Sequence, residues 1–331
     1  MYIIESYSLA VVVSAVTMLC WGSWPNTQKL ADPGWRFELF YWDYVWGIAL
    51  SALVFGLTLG SSGISGRPVL ADLAQADSRS VLSALLGGAI FNAANILFVA
   101  AITLAGIAVA FPVAAGFGLV LGVLINYIAR PVDNAAFLLG GTALVVMAIV
   151  FSALSYKRLM RRQRITAKGL LFSLAAGLLF GFFYRFISAA MYVDFSFPEN
   201  GKMGPYGAVA CFAGGVLLSN LLFNTIIMKR PVQGCPLVWS DYRKGSAKNH
   251  IMGMLGGMIW GTGLMLSMLS AGKAGFAISF GLGQGNAMIA AIWGVFIWKE
   301  FRNAPAGTSK FIYGMFFCYI TGLACIVYAK G

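Results

Sequence analysis

Ten long, nearly uncharged apolar stretches recur along this chain, at roughly 6–29, 37–60, 80–103, 106–129, 136–156, 169–193, 206–228, 250–271, 274–298 and 309–329. Each is long enough to cross a bilayer as a helix, which takes about 20 apolar residues. Backbone polar groups in hydrocarbon must be satisfied within the segment, so length and apolarity together predict helix. The expected fold is all-α and integral to the membrane, with ten transmembrane helices. Only 10% of the residues are charged, far below the roughly 25% of a soluble domain. A soluble enzyme, a nucleic-acid binder and a disordered chain are excluded; a transporter, a channel and a membrane enzyme are not. The opening MYIIESYS has an acid at Glu5 and no basic run, so it reads as the lead into an uncleaved first helix.

The net charge of +12 resembles a nucleic-acid signal, but its distribution is topological. Leaving aside Arg185, which lies inside a span, 16 basic residues fall on one side of the alternating loops and six on the other. The richer side holds Lys29, Arg36, the run KRLMRRQRITAK at 157–168, and the basic residues near 229–248 and 299–310. Basic residues accumulate in cytoplasmic loops. This predicts a multi-pass protein of the plasma or inner membrane, with the 157–168 linker cytoplasmic and both termini outside. Anionic lipid headgroups are an alternative partner for the linker, but topology alone accounts for it. Five cysteines form no CxxC pair and the single His250 has no neighbour at metal-ligand spacing, so no metal and no cofactor are expected.

LGGAIF at 86–91 recurs as LGGMIW at 255–260, and Ala105-Gly106 recurs as Ala274-Gly275, both offset by 169 residues. More weakly, WGSW at 21–24 resembles FGFF at 180–183. The chain divides into a five-helix repeat at 1–156, the linker at 157–168, and a second repeat at 169–331. Five is odd, so the second half enters from the opposite face. That is the inverted-repeat architecture of alternating-access transporters, with a central site at the repeat interface.

Polar residues inside spans are functional candidates because burying them is costly. Asp43 lies about 10 Å into the second helix, at 1.5 Å per residue. It is either a proton carrier or an interfacial carboxylate bonded to the tyrosines beside it; Glu38, nearer the surface, is the second proton-coupling candidate. Arg185, near the middle of the sixth segment, is expected to face a central cavity together with Tyr184; the alternative is a shifted helix from which Arg185 snorkels to the outer interface near Asp194. Asn92, Asn95, Gln284 and Asn286 offer donors and acceptors that suit a neutral polar ligand with amide-like edges. Asn126, Asn220 and Asn224 are assigned to interhelical bonding. Trp21 and Trp24 share a face just before Pro25, where a kink is expected. With Trp260, they could grip a planar or sugar ring; Trp42 and Trp46 suit a lipid-interface belt. Neither a phosphate-binding loop nor a nucleophile–base set is visible, so no enzyme is expected.

MYIIES, Ser23-Trp24-Pro25, Tyr41-Trp42-Asp43-Tyr44, the glycine pair of the third helix, Asn126-Tyr127, RPVQG at 230–234, Trp293-Gly294 and Lys299-Glu300-Phe301-Arg302 together resemble the ureide permease family. This family belongs to the drug/metabolite transporter superfamily. The resemblance implies ten helices in two inverted halves and secondary transport. Its Trp-Pro falls on Trp24-Pro25, its Asp-Tyr on Asp43-Tyr44 and its Glu-aromatic-Arg on Glu300-Phe301-Arg302. Plant members move allantoin and nucleobases by proton symport, whereas the short central loop here looks like the microbial branch. The expectation is uptake of a ureide or nucleobase with protons. A monosaccharide–proton symporter of the same fold, an exporter and a channel are the alternatives. The partners are a small solute, a coupling proton and lipid; nucleic acid is not expected, and the oligomeric state is left open.

Overall fold

The computed structural model describes residues 1–159 and 166–330. Arg161, Arg162 and Arg164 of the predicted linker lie outside the described residues. Among the described residues, ten helices have membrane-spanning length and composition: α1 Tyr7–Leu30, α2 Phe37–Leu57, α3 Ser78–Ala105, α4 Ile107–Ala129, α5 Ala135–Leu159, α6 Ala167–Ala190, α7 Pro205–Lys229, α8 Ala247–Ala274, α9 Phe276–Ile297 and α10 Thr308–Lys330. No predicted edge differs by more than three residues. Short helices at Val69–Gln75 and Trp239–Arg243 lie between α2 and α3 and between α7 and α8; neither was anticipated. Among the described residues, the only β pairing is one isolated bridge, Met191 to Met203.

Helix alternation gives the bundle two ends. The linker end carries Lys29, Tyr156 and Glu300, joined by hydrogen bonds of 2.5 and 2.8 Å to the Glu300 carboxylate. The terminal end carries both chain ends, where the Tyr7 hydroxyl donates to the Val327 carbonyl and the Met1 ammonium to the Ser65 carbonyl.

Helix neighbours recur under a shift of five. α2 packs on α8 as α7 packs on α3, α3 on α6 as α8 on α1, and α4 on α6 as α9 on α1. α3 and α8 are both 28 residues long. Each is capped by a side chain, Asp77 accepting from Ser80 N and Ser246 from Asn249 N. Each ends at a glycine, Gly106 (φ 77°, ψ 158°) or Gly275 (φ 83°, ψ 152°). That region is essentially closed to residues with a Cβ. It lets a 28-residue helix reverse at once into its partner, and it explains the second recurrence in the sequence.

The LGG recurrence also has a structural cause. A Cβ on Gly88 would overlap the Phe212 carbonyl of α7, and one on Gly257 the Tyr44 carbonyl of α2. These two crossings bring backbones together, the small-residue packing used where lipid leaves little hydrophobic drive. Gly88→Ala is therefore expected to destabilise the protein by about 1–3 kcal/mol and lower its melting temperature in detergent. Gly140→Ala, where a Cβ meets nothing within 4 Å, should not; equal melting of the two variants would refute the close-crossing account.

Candidate functional site

Two of the ten spans are broken, and both breaks fall at one cavity. α1 stops at Ser23 and resumes at Pro25, as proline predicts, because it cannot donate to the preceding turn. α9 runs Phe276–Gly283, turns at Gln284-Gly285, continues Asn286–Ile292 and ends in a π-helix at Trp293–Ile297. Interrupted helices lining an internal cavity are characteristic of transporter binding sites.

The cavity has a volume of about 180 Å³, and an apolar cavity near 150 Å³ accommodates a benzene ring. Three tryptophans (Trp21, Trp24, Trp260) and six phenylalanines (Phe91, Phe98, Phe111, Phe180, Phe183, Phe280) supply most of its wall. Asn95, Gln284 and Asn286 are the amides that line it, and none of the lining residues is charged. Eight of the nine rings fall in motif-related pairs, Phe98 being the exception. Phe91 and Trp260, the last residues of the recurring motif, stack with centroids 4.1 Å apart. Trp21 stacks on Trp260 at 5.9 Å and donates its indole N–H to the Trp260 carbonyl at 3.2 Å. The WGSW and FGFF motifs place Trp21, Trp24, Phe180 and Phe183 on the same wall. Phe91, Phe180 and Phe183 lie in the recurring motifs, though none was named as a site residue; Phe98, Phe111 and Phe280 were not singled out, and the offset of 169, which pairs Phe111 with Phe280, was the signal that could have found two of them.

Pro25, Phe98, Phe111 and Ala290 extend the cavity toward the linker end. A smaller cavity of about 70 Å³ shares Phe111 and Ala290 with it and reaches Tyr156. Toward the terminal end, buried hydroxyls tie α1, α6, α8 and α9 together. Ser14 donates to Ser270 at 3.1 Å, Ser270 and Ser279 are 2.6 Å apart, and Ser279 donates to the Ser267 carbonyl at 2.7 Å.

Several expected site residues lie elsewhere. Tyr184 belongs to that hydroxyl cluster, 2.9 Å from Ser267 Oγ, and does not line the cavity. Arg185 lies in the last two turns of α6 and donates to Ser188 Oγ at 3.3 Å. α6 ends at Ala190 rather than 193, which brings Arg185 nearer the terminal end than the apolar run suggested, and it does not line the cavity. Asn92 is fully buried and donates to Ser219 Oγ at 2.9 Å, an α3–α7 tie of the kind expected of other amides. Asn126 accepts from Ser188 and Asn224 donates to the Glu38 carbonyl, as interhelical bonds should; neither polar atom of Asn220 has a partner. Trp42 is buried against Trp239 and Met228 instead of facing lipid, whereas Trp46 is exposed.

Asp43 is bonded, but not by its flanking tyrosines. It is 4% exposed. Tyr242 donates to Oδ1 at 2.6 Å and His250 Nδ1 lies 2.9 Å from Oδ2. Gly253, which has no side chain, makes room for the carboxylate on α8. Burial first, and the neighbouring Asp43 carboxylate second, push the Tyr242 hydroxyl above its ordinary range, so it remains a donor. The RPVQG segment helps bring Tyr242 there: Arg36 donates to the Gln233 and Cys235 carbonyls at 3.3 and 2.6 Å, anchoring the chain just before Trp239–Arg243. Glu38 pairs with Arg36 at 2.5 Å, apart from Asp43. The other face of α2 reaches the cavity wall, where the Tyr41 hydroxyl accepts from Asn95 at 3.1 Å and Tyr44 packs on Trp24 at 4.7 Å.

Ten membrane-length helices around an internal cavity, with two of them broken at it, are the features of a multi-pass membrane transporter for small solutes. The family comparison makes this specific: the chain belongs to the sugar transport protein family, whose model matches residues 12–328. It is 22% identical to ureide permease 1 of Arabidopsis thaliana over 388 residues, covering 100% of this chain and 99% of the relative. Ureide permease 2 of the same plant is 22% identical over 397 residues, at the same coverages. A crystal structure with 16% sequence identity superposes with a TM-score of 0.63 over 97% of this chain and 98% of its own, a similarity of fold.

Proposed function

We propose that this protein takes up a small, neutral, planar solute, a ureide or a nucleobase, together with protons. The observation that carries the reading is the cavity wall of nine aromatic rings and three amides without a charge. Aromatic faces hold a flat ring, and amides match the alternating donors and acceptors on its edge. An organic anion would lie there without a counter-charge, which is costly in a low-dielectric site. The names of the full-length relatives agree with a ureide.

Transport would proceed by alternating access between two inverted halves, residues 1–156 and 169–331. The five-span recurrence of helix neighbours and the paired glycine ends support that division. The basic residues of the linker end support a cytoplasmic linker with both termini outside. In this arrangement the cavity faces inward and the hydroxyl cluster closes the outer side. Asp43, with Tyr242 and His250, is the proton-coupling centre, and Tyr41 and Tyr44 carry its state to the cavity wall.

A monosaccharide is the second reading, favoured by the family's description; aromatic faces also hold sugar rings. A thermal-shift screen of the purified protein separates the two. At a hundred times the dissociation constant, a ligand adds about 2.7 kcal/mol to the folded state. Uracil or allantoin should raise the melting temperature while glucose, ribose and rhamnose leave it unchanged; the reverse pattern would establish a sugar porter.

A further inference from the structure

The two short helices that the sequence did not reveal occupy repeat-related places, and each brings a buried carboxylate into a contact between elements. Trp239–Arg243 lies over α2 and supplies Tyr242 to Asp43. Val69–Gln75 lies over the start of α7 at the terminal end. There the Asp72 carboxylate accepts from the backbone N–H of Gly204, the N-cap of α7, at 2.7 Å and from Arg67 Nη1 at 3.3 Å. Gln75 accepts from Gly201 N and donates to the Lys202 carbonyl, both at 2.8 Å. Asp77 N donates to the Gly201 carbonyl at 2.9 Å. Asp72 itself is 1% exposed, and Gly207, without a side chain, leaves it room against α7.

We propose that Asp72 is a proton-binding site on the terminal end, and that its protonation tightens the closure of Val69–Gln75 over α7. Its link to the transport cycle rests on the function proposed above; the clasp itself does not. The ionisable groups facing Asp72 are Arg67 on the approach to the short helix, Tyr192 from the α6–α7 connection and Cys211 of α7. One cation is therefore set against a buried site. Desolvation outweighs the help from Gly204 and Arg67 and pushes the carboxyl up to about 6 from its ordinary 3.8.

The direction follows from linkage. In an opened clasp Asp72 is solvated and returns toward its ordinary range, so the closed form binds the proton more tightly. Acid favours closure. As the pH rises from about 4 to about 6, the buried group becomes charged and closure weakens by up to roughly a hundredfold, then levels off.

Hydrogen–deuterium exchange over residues 69–77 tests this in nanodiscs, without solute or gradient and after correction for intrinsic exchange. In the unmodified protein, protection should fall across that window. Asp72→Asn, neutral at every pH, should stay protected throughout. Arg67→Gln removes the cation and should move the upper end of the window to higher pH, a shift that loss of a merely structural contact would not produce. Flat protection in the unmodified protein, lability of Asp72→Asn at all pH values, or an unmoved window in Arg67→Gln would each overturn the proposal. If Asp72→Asn does not fold, the other two proteins still decide. A wrong solute or coupling ion would leave these results untouched and would show only in the ligand screen or in transport.

Discussion

Asp43→Asn should abolish uphill uptake while leaving exchange of solute for solute. A pH difference of two units can drive about a hundredfold accumulation per proton, since each unit is worth about 1.4 kcal/mol. A variant that cannot take up the proton should equilibrate its solute and stop. Asparagine keeps the shape of the carboxylate and one acceptor for Tyr242 or His250, so the α2–α8 contact has a means of surviving. Asp43 does not line the cavity, which is why exchange should persist. The measurement is uptake into proteoliposomes with and without an inward-directed pH gradient, beside counterflow of labelled solute. Undiminished accumulation by Asp43→Asn would remove this residue from coupling. His250→Gln supplies a second reading of the same centre, because it leaves the carboxylate in place without its imidazole partner.

The second large effect is expected at Trp260. Its ring lies against Phe91, Trp21 and Phe212, with centroids 4.1, 5.9 and 6.0 Å away, so it is both wall and packing. Each aromatic pair contributes about 0.5–1.5 kcal/mol beyond burial, and removing a buried tryptophan costs about 3–5 kcal/mol of stability. Trp260→Ala should therefore melt well below the unmodified protein and bind its solute roughly ten- to a hundredfold more weakly, at 1.4 kcal/mol per decade. Trp260→Phe keeps a ring of the kind its repeat counterpart Phe91 supplies and should retain the fold with a smaller loss of affinity. Calorimetric titration with the solute found by the screen gives both numbers. A folded Trp260→Ala protein of unchanged affinity would move the binding site away from this wall.

The spans were legible because the bilayer imposes one length and one composition on all of them, and tertiary packing has little freedom to override either. The LGG recurrence was legible because it lies where two backbones touch, at Gly88 and Gly257, and contact at that distance admits glycine alone. Side-chain roles were harder to read. An amide inside a span is costly whichever partner relieves it, so Asn92, which bonds Ser219, and Asn95, which faces the cavity, look alike in sequence. Depth was similarly ambiguous for Arg185: a shift of three residues at the end of α6 takes a guanidinium from mid-span toward the boundary. The partners of Asp43 lie about 200 residues away, and one reaches it only because a five-residue helix stands between α7 and α8. A helix that short has too few residues to show a period.

The uncharged wall has a consequence for what the membrane potential can do. If the solute is neutral, the loaded cavity carries no charge of its own when access switches from one face to the other. Voltage, worth about 2.3 kcal/mol per elementary charge for each 100 mV, would then act on the coupling ion and not on the cargo. Current recorded during uptake would count protons, and its ratio to solute flux would give the stoichiometry directly.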